Sequence, residues 1–103
     1  MSLPGLDPLI HAPVRLQICA ILSAADEAEF AVVREETGVS ESVLSKQVKL
    51  LEEAGYVRVR KATLASRQRT WLALTAAGRT AFAAHMQALT RLAQTAANGI
   101  AAE

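Results

Sequence analysis

The sequence is sparing with cysteine, aromatic residues, glycine and proline, and each shortage removes a class of protein from consideration. Its single cysteine, Cys19, excludes an internal disulfide framework and a metal site built from several thiolates. Set in the apolar run VRLQICAIL, Cys19 reads as a small buried hydrophobe, since a reactive thiol needs exposure and a depressed pKa. The two histidines, His11 and His85, are far apart and give no metal-ligand spacing, so no metal is expected. No apolar run approaches the length that crosses a bilayer, and the first residues lack the basic and apolar regions of a signal peptide. A cytoplasmic protein without a membrane partner is the expectation. The acids of DEAE and REE stand without a nucleophile or a convergent set, and TAAGRT is no phosphate loop. Neither an enzyme nor a cofactor is expected.

What remains is 51% apolar, with four aromatic residues among 103, so aliphatic and alanine side chains must build the core. The length suits a single domain over residues 1–103, and abundant alanine with little Gly or Pro favours helix. The net charge of +1 conceals a division. Residues 1–39 carry six acids against two bases, residues 40–71 carry seven bases against three acids, and residues 72–103 carry two bases and one acid. A basic centre in a nearly neutral chain is what a polyanionic partner requires.

Along the chain, DPLIH begins with turn chemistry, and Pro13 starts a helix predicted to run to about Ala24. That helix is apolar on nearly every side, so it needs cover beyond one small core. After DEAEF, with one or two residues of strand around Phe30, AVVREETG reads as a short helix closed by Gly38. Ser40 caps a helix from Glu41 to about Ala54, ended by Gly55, with Val39 placed to pack back on Leu44. YVRVRK and RTWLAL alternate as strands, with ATLASRQ as an irregular tip between them. Thr75 caps a last helix whose apolar stripe is Phe82, Met86, Leu89, Ala93 and Ala96. The prediction is a mainly α fold with a small β-hairpin: a winged helix-turn-helix core at about 9–74 and a long C-terminal dimerisation helix at 75–100.

The helix from Glu41 separates into two faces at 100° per residue. Leu44, Val48 and Leu51 point inward, while Ser42, Ser45, Lys46 and Lys49 lie opposite and Glu52 and Glu53 are held to the last turn. The helix dipole favours the reverse order of charge. A solvated face with pairs such as Lys49–Glu53 accounts for this helix as well as a phosphate partner does. Joined to the hairpin, nucleic acid accounts for more. Arg58, Arg60 and Lys61 could simply guard a strand edge. Ser66, Arg67, Gln68 and Arg69 at the predicted tip set two guanidinium groups about an amide, a composition that clamps phosphates or enters a minor groove.

The stretch VSESVLSKQVKLLEEAGYVRVRK followed by RQRTWLALTAAGRTAF resembles the winged helix-turn-helix of MarR-like and ArsR-like bacterial regulators, most of all the short MarR-like subgroup. The resemblance covers about Leu9 to Leu92. It implies a homodimeric transcription regulator that binds double-stranded DNA, with residues 41–54 as recognition helix. By that likeness Ser42, Val43, Ser45, Lys46 and Lys49 take groove or phosphate positions, and Ser66 to Arg69 act as the wing. Leu50 departs from the polar residue common there and reads as a packing or interface residue. Leu16, Phe82, Met86, Leu89 and Ala93 are the expected dimer contacts. Repression by occlusion is expected, since no activation segment is visible. An apolar effector between the first and last helices is left open, and a winged domain serving as a protein-interaction module is the rival reading.

Overall fold

The computed structural model describes residues 4–99. In order these form α1 (Pro8–His11), α2 (Pro13–Ser23), β1 (Ala28–Glu29), α3 (Phe30–Thr37), α4 (Glu41–Glu53), β2 (Val57–Leu64), β3 (Arg67–Leu74) and α5 (Ala76–Asn98). The three strands form an antiparallel sheet in the order β1-β3-β2. The winged helix-turn-helix is therefore present, with a third short strand on the hairpin and a long last helix. Among the described residues, no helix is long and apolar enough to cross a membrane.

Local chemistry fixes most helix ends. Asp7 caps α1 by accepting from the Leu9 N–H at 2.9 Å, and proline opens both α1 and α2. Gly38 ends α3 at φ +73°, a conformation that costs glycine little. Ser40 then caps α4 by accepting from the Val43 N–H at 3.2 Å. α5 ends at Asn98 with Gly99 as its cap, short of the expected 100, which lies outside the described residues.

The core is aliphatic: Ile10, Ile18, Leu22, Val33, Leu44, Leu51 and Leu72 are fully buried, together with Cys19. Burial pushes the Cys19 thiol up to about 11, with the Asp7 carboxylate adding to the shift, so it is protonated and inert at neutral pH. α4 contributes Leu44, Val48 and Leu51 to this core, and β2 and β3 contribute Val57, Leu72 and Leu74.

The fold corrects three expectations. DPLIH is largely helical, as α1. The hairpin is longer than predicted, because ATLASRQ is strand except for a two-residue turn, Ala65-Ser66, at φ +51° and +66°. Its outer half extends past the core, so both faces are wet and alternation carries no signal there. Ala-Ser also lacks the Asn-Gly chemistry that advertises such a turn.

The third correction concerns the histidine of α5. α5 turns Gly78, His85 and Ala88 inward, with Phe82 half-buried against the core, and most of the stripe expected to make dimer contacts lies outside that inward line. Met86 is 41% and Leu92 48% exposed, and Ala93 is also exposed. The histidines, read from the sequence as far apart, meet within one chain: His85 is fully buried and its Nε2 lies 3.2 Å from His11 Nδ1.

Two junctions hold these elements in place. Thr75 donates its amide to the Tyr56 carbonyl at 3.0 Å and its hydroxyl to the Gly55 carbonyl at 2.6 Å. This seats the first turn of α5 on the α4–β2 corner. Gly78 lies directly against the Tyr56 carbonyl, with Leu74 Cδ2 3.1 Å from where a Cβ would stand. The second junction is Asp7, whose carboxylate accepts from the Tyr56 hydroxyl at 2.6 Å and whose amide donates to His85 Nδ1 at 3.0 Å.

A methyl group has no room at the first junction. Gly78→Ala is expected to lower stability by about 1–3 kcal/mol, the usual range for overpacking a filled site. Urea denaturation measures this, and a midpoint equal to that of the unsubstituted chain refutes the assignment.

Candidate nucleic-acid interface

The short turn between α3 and α4 sets one face of α4 against the core and leaves the other to solvent. Val39, half-buried, precedes the cap and packs with the core at the position from which a staple to Leu44 forms. With Leu44, Val48 and Leu51 committed inward, Ser42, Val43, Ser45, Lys46 and Lys49 are all exposed. Val43 is 42% exposed although apolar, and Leu50 is 36% exposed, at the edge of the same surface. Among the described residues neither lysine forms an ion pair, so the pairing of Lys49 with Glu53 or Glu52 is not made. These charges are available to a partner.

Register decides which hairpin residues join that face. Val57, Val59, Lys61 and Thr63 on β2 stand opposite Leu74, Leu72, Thr70 and Gln68 on β3, and these share the core-facing side of the sheet. Past the core, that side looks across a groove at α4. The groove has a volume of about 580 Å³ and is floored by Phe30, Val48, Val59 and Leu72. Ser45 and Lys49 form one wall, and Lys61 and Thr70 the other, with Glu41 and Glu52 at the α4 rim.

Of the four residues assigned to the tip, Gln68 lies on this side. Ser66 is in the turn itself. Arg67 and Arg69 are strand residues on the opposite side, paired with Leu64 and Ala62.

That opposite side is only partly basic. Arg60 binds both carboxylate oxygens of Glu27, at 2.9 and 2.8 Å, and lies 5.5 Å from the Trp71 ring centroid. Arg69 pairs with Glu29 at 3.2 Å. The fork of hydrogen bonds from Arg60 holds the Glu27 carboxyl below the usual carboxylate range, helped by the positive charge of Arg60 and Arg58. The DEAE acids, read from sequence as a connection, thus occupy two hairpin arginines.

Sequence reasoning left Lys61 as an edge guard, whereas the register sets it across the groove from Lys49. The alternation from Val57 to Lys61 already carried that signal. It was hidden by treating the strand as ending at Lys61.

The candidate surface therefore consists of Ser42, Val43, Ser45, Lys46 and Lys49 on α4 with Lys61 and Gln68 on the wing. Arg67 stands at the wing end, and Arg69 is diverted to Glu29. Hydroxyls, an amide and unpaired cations can bind phosphates and base edges, and the exposed Val43 can meet a thymine methyl. Among the described residues no group of three or more His, Cys, Asp or Glu could hold a metal ion.

Residues 14–93 match the family described as winged helix DNA-binding domain. An uncharacterized protein of Methanocaldococcus jannaschii, MJ0432, is 28% identical over 86 residues, spanning 84% of this chain and 94% of the relative. A transcriptional regulator homologue from Pyrococcus horikoshii OT3 superposes with a TM-score of 0.78 at 24% identity, over 84% of this chain and 85% of that one. The transcriptional repressor BigR from Xylella fastidiosa superposes with a TM-score of 0.64 at 24% identity, over 80% of this chain and 76% of its own. At these identities the structural likenesses show the fold.

Unpaired and paired cations are expected to behave differently toward duplex DNA. Lys46→Ala, Lys49→Ala and Lys61→Ala should each reduce the slope of log affinity against log salt by about one. Arg60→Ala, whose charge is engaged by Glu27, should leave the slope nearly unchanged. Fluorescence anisotropy over a salt series reads both, and an unaltered slope in Lys46→Ala removes that residue from the interface.

Proposed function

The chain belongs to the family of winged helix DNA-binding domains, and from that premise we propose that it regulates transcription by binding a specific operator as a homodimer. The observation that carries this reading is the unpaired, solvent-facing row of α4 residues opposite Lys61 across the groove. α4 acts as recognition helix. Lys46, Lys49 and Lys61 attract phosphates, Ser42 and Ser45 supply short hydrogen bonds, and Val43 supplies an apolar base contact. Ser66, Arg67 and Gln68 form the wing end. Arg69 contributes when Glu29 yields it.

The exposed apolar stretch of α5 supports the dimer. Among the described residues Met86, Leu92 and Ala93 are left exposed, while Leu89 is only half-buried. Leu16 and Phe82 are already half-buried against the chain's own core, so they are placed at the inner edge of the contact. A two-fold mate along α5 covers this stretch and sets two α4 helices about 34 Å apart, one turn of DNA. Repression by occlusion fits a chain that offers a DNA surface and an assembly helix, and the BigR likeness is to a repressor. An apolar effector would enter between α2 and α5 of the dimer. The reading requires no catalytic step.

The test is a selection of genomic fragments with the purified protein, followed by anisotropy on the recovered site. A pseudo-palindrome bound far more tightly than random DNA is expected. Weak binding indifferent to sequence overturns the regulator reading and favours a protein partner. Sedimentation is expected to give a dimer that Met86→Asp with Leu89→Asp converts to monomer, with loss of the tighter binding. A stable monomer at working concentration overturns the dimer.

A further inference from the structure

The contact between His85 and His11 is built for neutral rings. Nδ1 of His85 accepts from the Asp7 amide at 3.0 Å, so the proton of this ring sits on Nε2. That Nε2–H donates to Nδ1 of His11 at 3.2 Å. A second proton on His85 Nδ1 would face the Asp7 N–H, donor against donor. A proton on His11 Nδ1 would face the Nε2–H in the same way. His85 is fully buried, so no water is at hand for a bond that its ring loses, whereas His11 is exposed.

The charged and titratable groups that act on His85 are Asp7 and His11 from the α1 segment; Asp7 is in turn met by Tyr56 at the head of β2 and acts on Cys19 of α2, which Arg15 also reaches. The Asp7 carboxylate would favour an imidazolium, but it is engaged by the Tyr56 hydroxyl and the Leu9 amide. Desolvation, with His11 adding to it, lowers the His85 pKa below its ordinary value and outweighs the attraction of Asp7.

What the pair holds is connected to the DNA-facing helix. Residues 7–11 lie on α5 through His85 and on the head of β2 through Tyr56. The Leu9 carbonyl at the same place accepts from Arg15 Nε at 2.6 Å. The other end of that guanidinium donates to Gln47 Oε1 on α4 at 2.6 Å. One arginine thus spans from α1 to the recognition helix.

We propose that the His85–His11 pair is a proton-operated latch on residues 7–11 that tunes DNA affinity through Arg15 and Gln47. This rests on the DNA-binding reading above for its output, though not for the latch itself. At neutral pH the latch is closed. When pH falls through the ordinary imidazole range, a proton enters His85 only if the Asp7–His85 bond breaks. The α1 segment then leaves α5, Arg15 loses its acceptor on Leu9, and α4 loses the support at Gln47.

The sign follows from linkage. A histidine whose pKa is lowered in the closed state stabilises that state above the ordinary value, and the stabilisation is lost as pH falls below it. For one proton taken up, the limit is about tenfold in affinity per pH unit. No other side chain in the sequence titrates ordinarily between pH 5.5 and 7.0, because these are its only two histidines.

The experiment compares the unsubstituted chain with His85→Gln, whose amide keeps one acceptor and one donor but does not titrate. Hydrogen–deuterium exchange at residues 5–11, corrected for intrinsic rate, reads the latch at pH 7.0 and 5.5. Anisotropy on the selected operator at constant salt reads the output. Protection is expected to fall at pH 5.5 and affinity to weaken severalfold in the unsubstituted chain, with both nearly flat in His85→Gln. Should His85→Gln fail to fold, His11→Gln replaces it, retaining an acceptor opposite His85 Nε2 while removing one titrating ring. Protection independent of pH in the unsubstituted chain overturns the latch, as does an equal loss of affinity in the variant. If no DNA binds at pH 7.0, the DNA reading is overturned instead, and exchange alone decides the latch.

Discussion

The seating of Gly78 against the Tyr56 carbonyl is the constraint on which the rest of the molecule depends. Four chain ends meet there: the close of α4, the start of β2, the end of β3 and the first turn of α5. Two hydrogen bonds from Thr75 to Gly55 and Tyr56 fix the corner, and the lack of a side chain at Gly78 permits the approach. Because α4 and α5 leave this one corner, the angle between these two helices is set by a backbone contact. Side-chain packing farther out refines the angle without choosing it. The Asp7 cluster adds a second tie at the same corner, since Tyr56 belongs to both.

Helix ends were legible in the sequence because their signals are local. Ser40, Gly38 and Thr75 satisfy or redirect backbone groups within a few residues, and the structure uses each as expected. The inward line of α4 was legible for a similar reason, because a single apolar stripe on a helix has one sensible direction. The solvent-facing residues of α4 followed by subtraction.

The remainder depended on contacts between distant residues. Nothing near His85 announces that His11, seventy-four positions away, will meet its ring, and alanine at most neighbouring positions blurs which stripe of α5 faces inward. The hairpin could not be measured because its outer half has no buried face to impose alternation, and Ala65-Ser66 turns without glycine. The pairing of Glu27 with Arg60 and of Glu29 with Arg69 brings together the acidic and basic regions that the sequence keeps apart. A regional tally of charge located the basic centre correctly. It could not say that two of the arginines were already engaged.

The wing carries its charge by parity. Odd-numbered residues of β2 look toward α4 and even-numbered ones look away, so Lys61 and Arg60 serve opposite surfaces although they are neighbours in sequence. A residue inserted between Val59 and Arg60 would leave Val57 and Val59 anchored in the core. It would also move Arg60 into the place of Lys61 and send Lys61 to the side of Glu27. Composition, net charge and hydropathy would scarcely change, yet the groove would face a different cation with a different partner. For this wing, length is therefore more strictly specified than residue type. Related chains could exchange Lys for Arg on a given side more freely than they could gain or lose one position.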